Sequence, residues 1–161
     1  EVIALQAAGW KVTYLDVREP PFELARFVLG DATKRHFRAE SFDAVSSTCV
    51  LCHAGTGRYG DSLDLEHGDE VMLKELQRVL KLGGMMSLMF GPVVDMPRML
   101  RRGTEHRFYT VKEAKRMLLE AGLELVELRL WDTMKRTWRE GEVPTPVIKD
   151  CDYLCVAARN P

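Results

Sequence analysis

The segment from residue 31 to residue 91 has, in order, the features of a strand, a long loop, a helix and a second strand, and this succession constrains the fold most. Residues 42–49 and 85–90 are short runs of apolar and small side chains, which predict a first strand buried on both faces and a second in a central position. Between them, apolar side chains recur at helical spacing and predict a helix that ends at Gly83-Gly84. These side chains are Met72, Leu76, Val79 and Leu80. Such an order predicts a parallel α/β sheet.

Other segments extend this pattern on both sides. Residues 10–15, 25–29 and 123–130 also have the composition of strands. Thr110 and Glu113 have the spacing of a capping box, which predicts the start of a second helix. Strands and helices therefore alternate through most of the chain, as in doubly wound sheets.

A long connection precedes the last predicted strand, which covers residues 153–158. Parallel neighbours are joined by helical crossovers, whereas this connection is polar and contains prolines, so we predict that the two final strands form an antiparallel pair at the sheet edge. The sequence thus predicts one Rossmann-like, doubly wound α/β domain over residues 1–161. Its sheet is expected to be mostly parallel with an antiparallel last strand, and residues 132–149 form an insertion before that strand.

The charge balance excludes some classes of partner. The chain of 161 residues has 23 Lys and Arg against 24 Asp and Glu, for a net charge of −1. This near neutrality argues against binding to nucleic acid or to an anionic membrane through the whole surface. No apolar run reaches the roughly 18 to 20 residues that cross a bilayer, and no secretion signal is recognisable. We expect a cytoplasmic protein, and the sequence leaves open whether it pairs with itself.

The four cysteines have a count that would suit a zinc site. They are Cys49, Cys52, Cys151 and Cys155. The last two flank a predicted strand, where four residues span roughly 13 Å, too far for both to bind one ion. The sequence therefore favours free thiols and predicts no metal site.

Polar side chains follow several predicted strands, and in open α/β sheets this edge binds ligands. Asp16 ends one strand, where a carboxylate can accept hydrogen bonds from the two hydroxyls of a ribose. His53 begins a glycine-rich loop after another strand, and a second loop, residues 91–110, is rich in arginine and could hold an anionic substrate. The polar candidates in the two loops are Arg58, Tyr59, Asp61, His106, Arg107 and Tyr109.

Five features occur in the same order as in one known group of enzymes. They are Val12–Asp16, Gly30-Asp31-Ala32, Ser41–Val45, Leu76–Gly84 and the closing helix, strand, insertion and strand. In these features, which cover nearly the whole chain, the sequence resembles the class I methyltransferase superfamily, whose members use S-adenosylmethionine. In Pro21-Phe22, in His53 with Gly57–Asp61 and in His106-Arg107, it also looks like a bacterial and archaeal branch of methyltransferase-like proteins of largely unassigned function.

This resemblance implies roles for individual positions. Asp16 and Val17 would bind the ribose of S-adenosylmethionine, and Asp31 with Ala32 would border the adenine. Ser47 and Thr48 would line the side of the methyl donor. The loop that begins at His53 would face the methyl acceptor, with Arg58, Tyr59 and Asp61 among its contacts.

The chain departs from the family pattern in two places. The first strand and its glycine-rich turn, which hold the methionine part of the cofactor in the family, would precede Glu1. Leu82 occupies a position where proline is usual before the double glycine. We therefore expect a domain that is incomplete at its N-terminus.

The resemblance implies a methyltransferase that acts on a small-molecule or sugar-like acceptor. His53 and His106 are the candidates for removing a proton from the acceptor, because histidine titrates near neutrality. Arg107 and Tyr109 are further candidates for substrate binding. Two alternatives stay open: a binding or scaffold protein that has lost catalysis, and a different nucleotide-dependent enzyme on the same sheet.

Overall fold

The computed structural model describes residues 2–21, 26–61, 66–92, 99–101, 106–132, 136–140 and 153–161. In these residues the helices are α1 (Val2–Ala7), α2 (Gly68–Val79) and α3 (Val111–Glu120), with a short 3-10 helix at Leu51–His53. The strands are β1 (Tyr14–Asp16), β2 (Phe27–Leu29), β3 (Phe42–Thr48), β4 (Leu80–Pro92), β5 (Met99–Arg101), β6 (His106–Phe108), β7 (Glu124–Asp132), β8 (Thr137–Glu140) and β9 (Tyr153–Arg159). None of the described helices is long and apolar enough to pass through a bilayer.

The largest described sheet has five strands in the order β3-β4-β9-β7-β8. β3 and β4 are parallel, whereas β9 is antiparallel to both of its neighbours. β1 and β2 form a parallel pair, and β5 and β6 an antiparallel one. This is the predicted Rossmann-like α/β fold with an antiparallel last strand.

The position of the last strand differs from the prediction. β9 lies between β4 and β7, so the pair formed by the last two long strands is antiparallel but is not at the edge of the sheet. β8, which comes from the predicted insertion, pairs with β7 and covers that edge. Trp131 and Trp138 pack across these two strands with ring centroids 5.0 Å apart. The insertion thus extends the sheet in its described part.

The core lies on one face of the five-stranded sheet. Along β4, Met86, Leu88 and Phe90 are buried, whereas the alternating Met85 and Ser87 are exposed. The buried set packs with the apolar side chains of α2 and α3, which include Met72, Leu73, Ala114, Met117 and Leu118. The α3 stripe is the one that the sequence predicts, and Thr110 caps this helix by accepting a hydrogen bond from the backbone N–H of Glu113.

The prediction that β3 is buried on both faces is wrong. Asp43, Ala44, Ser46 and Thr48 are exposed, and Ser47 is the one fully buried side chain of the strand. β3 is an outer strand of the five-stranded sheet, and the described helices α2 and α3 cover its other face. An apolar composition was compatible with either arrangement, because Ala, Ser and Thr are small enough to lie on an open face.

The double glycine does not end a helix as predicted. α2 ends at Val79, and β4 begins directly at Leu80. Gly83 has a φ of +75°, and its N–H donates to the carbonyl of Asn160 over 2.7 Å. The pairing of β3 with β4 changes register across this segment. The two glycines therefore form an irregular bend inside β4, where the C-terminal end of the chain is attached.

Candidate functional site

The carboxyl ends of β3 and β4 meet at one edge of the sheet, because these strands are parallel. The 3-10 helix Leu51–His53 follows β3 at this edge and contacts both β4 and β6. β6 contributes His106 from the second predicted loop. The fold therefore brings the two loops of the sequence prediction together.

Two histidines and a cysteine form a cluster at this edge. The ring centroids of His53 and His106 lie 3.9 Å apart, with the rings inclined at 72°. Ligand atoms of Cys52, His53 and His106 all lie within 4.8 Å of one another. Cys52 is fully buried and His53 is 7% exposed. Sequence analysis identified both histidines, but it considered Cys52 as a metal ligand only together with the other cysteines.

The surroundings keep His106 and Cys52 uncharged. Burial lowers the pKa of His106, and the neighbouring His53 and the positive charge of Arg58 act in the same direction. Nδ1 of His106 is buried and has no hydrogen-bond partner among the described residues. Burial also raises the pKa of the Cys52 thiol to about 12. At neutral pH, His106 is therefore a neutral imidazole and Cys52 a neutral thiol.

The loop after His53 is folded around one carboxylate. Asp61 accepts hydrogen bonds from the backbone N–H groups of Thr56 at 3.0 Å, Gly57 at 3.3 Å and Tyr59 at 3.2 Å. The hydroxyl of Thr56 donates to the carbonyl of His53 over 2.7 Å. Asp61 was predicted to bind substrate, and in the structure its carboxylate determines the shape of the loop.

Tyr59 connects this loop to the end of β1. The edge of its ring packs against His53, with centroids 5.4 Å apart. The guanidinium of Arg18 lies 4.3 Å from the centre of the same ring, and that of Arg58 lies 5.2 Å from it. Sequence analysis identified Tyr59 and Arg58 but not Arg18, whose position two residues after Asp16 was the only available signal.

Asp16 lies at the other end of this chain of contacts. Its carboxylate accepts hydrogen bonds from the Tyr14 hydroxyl at 2.7 Å and from the backbone N–H of Arg18 at 3.0 Å. Burial acts to raise the pKa of Asp16, but these hydrogen bonds and the charge of Arg18 outweigh it and hold the pKa below its usual value. The Asp16 carboxylate is therefore ionised at neutral pH and can accept further hydrogen bonds.

The other predicted cofactor residues lie at strand ends with different exposure. Asp31 follows β2 and accepts hydrogen bonds from the backbone N–H and the hydroxyl of Thr33. Ala32 and Val17 are half-buried. Ser47 and Thr48 are neighbours in β3 and point to opposite faces: Ser47 is buried towards the core, and Thr48 is exposed.

Arg107 and Tyr109 lie beneath the loop instead of on its surface. Arg107 is 1% exposed and Tyr109 is fully buried. Nε of Arg107 lies 3.6 Å from Oδ1 of Asp69, and the Tyr109 hydroxyl donates to Oδ2 of Asp69 over 2.9 Å. Arg107 also donates to the carbonyl groups of Ala54 and Glu66. Both residues were predicted to bind substrate, and that stays a prediction; in the structure their side chains take part in this buried network.

This buried network joins the two ends of the loop. Ala54 is at its start, and Glu66 lies just before α2. A Cβ atom at Gly68 would overlap the carbonyl of Ala54, so the start of α2 lies against the start of the loop. Sequence analysis missed Asp69, although an acid in the first turn of a helix with a following loop arginine was a usable signal.

Solved structures of low sequence identity share this fold. The 1,6-didemethyltoxoflavin-N1-methyltransferase of Burkholderia thailandensis, solved with 1,6-didemethyltoxoflavin and S-adenosylhomocysteine, has 19% identity and a TM-score of 0.70, and the match covers 98% of this chain and 64% of that protein. An S-adenosylmethionine-dependent methyltransferase from Methanosarcina mazei has 17% identity and a TM-score of 0.64 over 98% of this chain and 85% of its own. The cyclase SpnF has 18% identity and a TM-score of 0.59 over 84% of this chain and 56% of its own.

Sequence comparison identifies the family. No curated protein sequence matches this chain. The profile of the methyltransferase domain, however, matches residues 2–88, which is more than half of the chain. That span runs from α1 through β4 as far as Leu88 and includes Asp16 and Asp31. It also includes the loop between His53 and the start of α2 at Gly68, called the histidine loop below. The chain therefore belongs to the methyltransferase domain family.

Proposed function

We propose that this protein transfers a methyl group from S-adenosylmethionine to a small-molecule acceptor. The observation that carries this proposal is the row of contacts from Asp16 through Arg18 and Tyr59 to His53 and His106. It joins a carboxylate suited to a ribose with a pair of histidines suited to proton removal, along one edge of the sheet.

The donor side would be formed by strand ends. The ionised carboxylate of Asp16 would accept hydrogen bonds from the ribose, next to Val17, and the segment of Asp31 and Ala32 would border the adenine. Of the two β3 residues, Thr48 is the one with an exposed side chain on the open face, so it would contribute its side chain, whereas Ser47 would contribute backbone only. S-adenosylmethionine, when bound there, supplies an electrophilic methyl group.

The acceptor side would be formed by the histidine loop. Methyl transfer to a hydroxyl or an ammonium requires loss of a proton from the acceptor, which the neutral imidazole of His106, or else the side chain of His53, would take up. The new bond forms between the acceptor atom and the methyl carbon as the carbon–sulfur bond breaks. Exposed Arg58 and half-buried Tyr59 would contact the acceptor, and Asp61, Arg107 and Tyr109 would hold the loop in place.

The size of the acceptor is inferred from the enclosure of the site. His53 is 7% exposed and lies behind Tyr59, with Arg18 and Arg58 against the same ring. Because His53 is largely buried and its ring packs against Tyr59, a small molecule would reach it more easily than a macromolecular chain. That one structural neighbour was solved with a small heterocycle and S-adenosylhomocysteine is consistent with this choice.

Calorimetric titration with S-adenosylhomocysteine tests the donor half of the proposal. We expect micromolar binding, about −8 kcal/mol, and a loss of at least tenfold, about 1.4 kcal/mol, in Asp16→Ala. Asp43→Ala is the matched control, because Asp43 is an exposed acid of β3 whose partner among the described residues is Lys81. Absence of binding by the folded protein would exclude the proposal.

Transfer of labelled methyl groups to a library of hydroxyl- and amine-bearing small molecules tests the acceptor half. His53→Gln and His106→Gln should reduce kcat by about 10²- to 10⁴-fold while cofactor binding is retained, as expected for loss of a general base. His67→Gln, which replaces a histidine with a 59% exposed side chain, is the control. Variants as active as the wild type would show that neither histidine removes the proton.

A different reaction on the same fold is the second candidate. The structural similarity to a cyclase is the observation that favours it, since a shared fold does not fix the reaction. Tight S-adenosylhomocysteine binding without methyl transfer to any member of the library would support a different reaction on this fold.

A further inference from the structure

Cys52, His53 and His106 form the only group among the described residues in which three metal-binding side chains converge. Sequence analysis considered zinc only for the four cysteines and rejected it from their spacing. The structure brings one of those cysteines together with two histidines, one of them from a distant loop. We propose that these three side chains bind a divalent ion of the zinc class, and that the bound ion blocks proton removal by the histidines.

The donor set determines the class of ion. One thiolate and two imidazoles suit zinc and similar borderline-soft ions, whereas magnesium and calcium prefer oxygen ligands. Ligand atoms within 4.8 Å of one another can close onto an ion at bond lengths of about 2.0 to 2.3 Å with small side-chain rotations. Three protein ligands leave a fourth position for water or for a group of the acceptor.

The cluster is held by packing that does not depend on an ion. Cys52 packs against Gly91 of β4, where a Cβ atom would come within 2.9 Å of the cysteine Cβ. The next residue in sequence after His106 is Arg107, which is fixed by Asp69 and Ala54. The two elements that carry the ligands are therefore attached to each other, and such preorganisation favours binding.

His106 offers an independent indication of a missing partner. Its Nδ1 is buried without a hydrogen-bond partner among the described residues. Buried polar atoms are paired in the great majority of cases, and an unpaired one calls for a specific explanation such as an ion. An ion bound by Nδ1 of His106 would give this buried nitrogen its partner.

The ion and the general base exclude each other, and this part of the inference rests on the proposed function. A ring nitrogen whose lone pair binds zinc cannot accept a proton from the acceptor. Zinc should therefore inhibit methyl transfer, and a chelator should restore it. Binding of the ion itself does not depend on the proposed reaction.

Cobalt(II) and zinc are the probes for the test. The purified protein should bind one equivalent of Co²⁺, with a thiolate-to-cobalt absorption band that zinc removes. In weak buffer, binding should release at least one proton per ion, because the Cys52 thiol becomes a thiolate on binding. Cys52→Ser should lose the band, and His106→Gln should weaken binding by about tenfold or more.

Two control variants preserve the cluster. Cys155→Ser removes another cysteine, and His67→Gln removes a histidine whose side chain is 59% exposed. Both should bind Co²⁺ like the wild type. Circular dichroism shows whether each variant is folded. If Cys52→Ser does not fold, His106→Gln provides the test.

The outcomes separate this inference from the proposed function. If the folded wild type binds no Co²⁺ stoichiometrically, or if Cys155→Ser loses the band, the metal site is wrong, whatever the result with S-adenosylhomocysteine. Metal binding that depends on Cys52 and His106, in a protein that transfers no methyl group, would support the site and reject the methyltransferase proposal. If a bound ion does not slow methyl transfer, the inference that the ion blocks proton removal by the histidines is wrong.

Discussion

At the scale of single residues, the site depends on electrostatic effects that act over a few ångströms. His106 is kept neutral by burial, by His53 and by the charge of Arg58. Asp16 is kept ionised by its hydrogen bonds from Tyr14 and Arg18. A neutral base on one side and an ionised carboxylate on the other are the protonation states that the proposed chemistry requires.

Removal of the charge of Arg58 should raise the pKa of His106. A nearby cation disfavours the imidazolium form, so the wild-type residue should titrate below its ordinary value of 6.5, and Arg58→Gln should shift this titration to higher pH. NMR titration of the labelled histidine ring measures the shift in both proteins.

Arg38→Gln, in which another exposed arginine is replaced, is the control and should leave the titration unchanged. If the pKa of His106 is the same in Arg58→Gln as in the wild type, the charge of Arg58 does not lower it.

At the scale of elements, one buried network holds the histidine loop between the 3-10 helix, α2 and β6. Asp69 at the start of α2 accepts the hydrogen bond of Tyr109 and pairs with Arg107, while Arg107 reaches the carbonyl of Ala54. The three elements are far apart in sequence, so their relative placement depends on these few polar contacts and on the core beneath them.

The variant Asp69→Asn should destabilise the protein strongly. It leaves the guanidinium of Arg107 buried without its carboxylate, and loss of one partner of a buried ion pair costs about 3 to 5 kcal/mol. Urea unfolding measures the change. Asp43→Asn, which breaks the exposed pair with Lys81, should cost less than about 1 kcal/mol. Equal effects in the two variants would mean that the network has no special role.

At the scale of the whole molecule, the C-terminal strand β9 joins two parts of the sheet. β9 lies between β4 and β7, and Asn160 after it is attached to the junction of α2 and β4. Its side chain donates to the carbonyl of Leu80 over 2.8 Å and accepts a hydrogen bond from Gln77 over 3.0 Å. Residues from the middle and the end of the chain thus depend on each other.

The variant Asn160→Ala should lower the free energy of unfolding by about 1 to 3 kcal/mol, because the buried carbonyl of Leu80 loses a donor. It should also speed hydrogen exchange in β9 and in the first residues of β4. Arg159→Ala is the control, since among the described residues its side chain forms an exposed pair with Glu124. If both variants unfold at the same urea concentration, the attachment contributes little.

The sequence by itself determined the order of the other strands and helices, the Rossmann-like fold and the residues at the strand ends, but it did not predict the short strands β5, β6 and β8. These features follow from local patterns: apolar periodicity identifies the α3 stripe, Thr110 marks its start, and polar residues after apolar runs identify Asp16 and His53. Each of these signals involves neighbours in sequence, so no tertiary information was needed.

Only the tertiary structure decided which face of β3 is covered, where β9 lies, and which polar residues are buried. The sequence could not separate Arg107 from Arg58, because both are loop arginines, and only packing against Asp69 buries one of them. It also could not bring Cys52 and His106 together, since the pair depends on how β6 meets the 3-10 helix. Contacts between distant segments depend on the free energy of the whole fold, so local sequence patterns do not predict them.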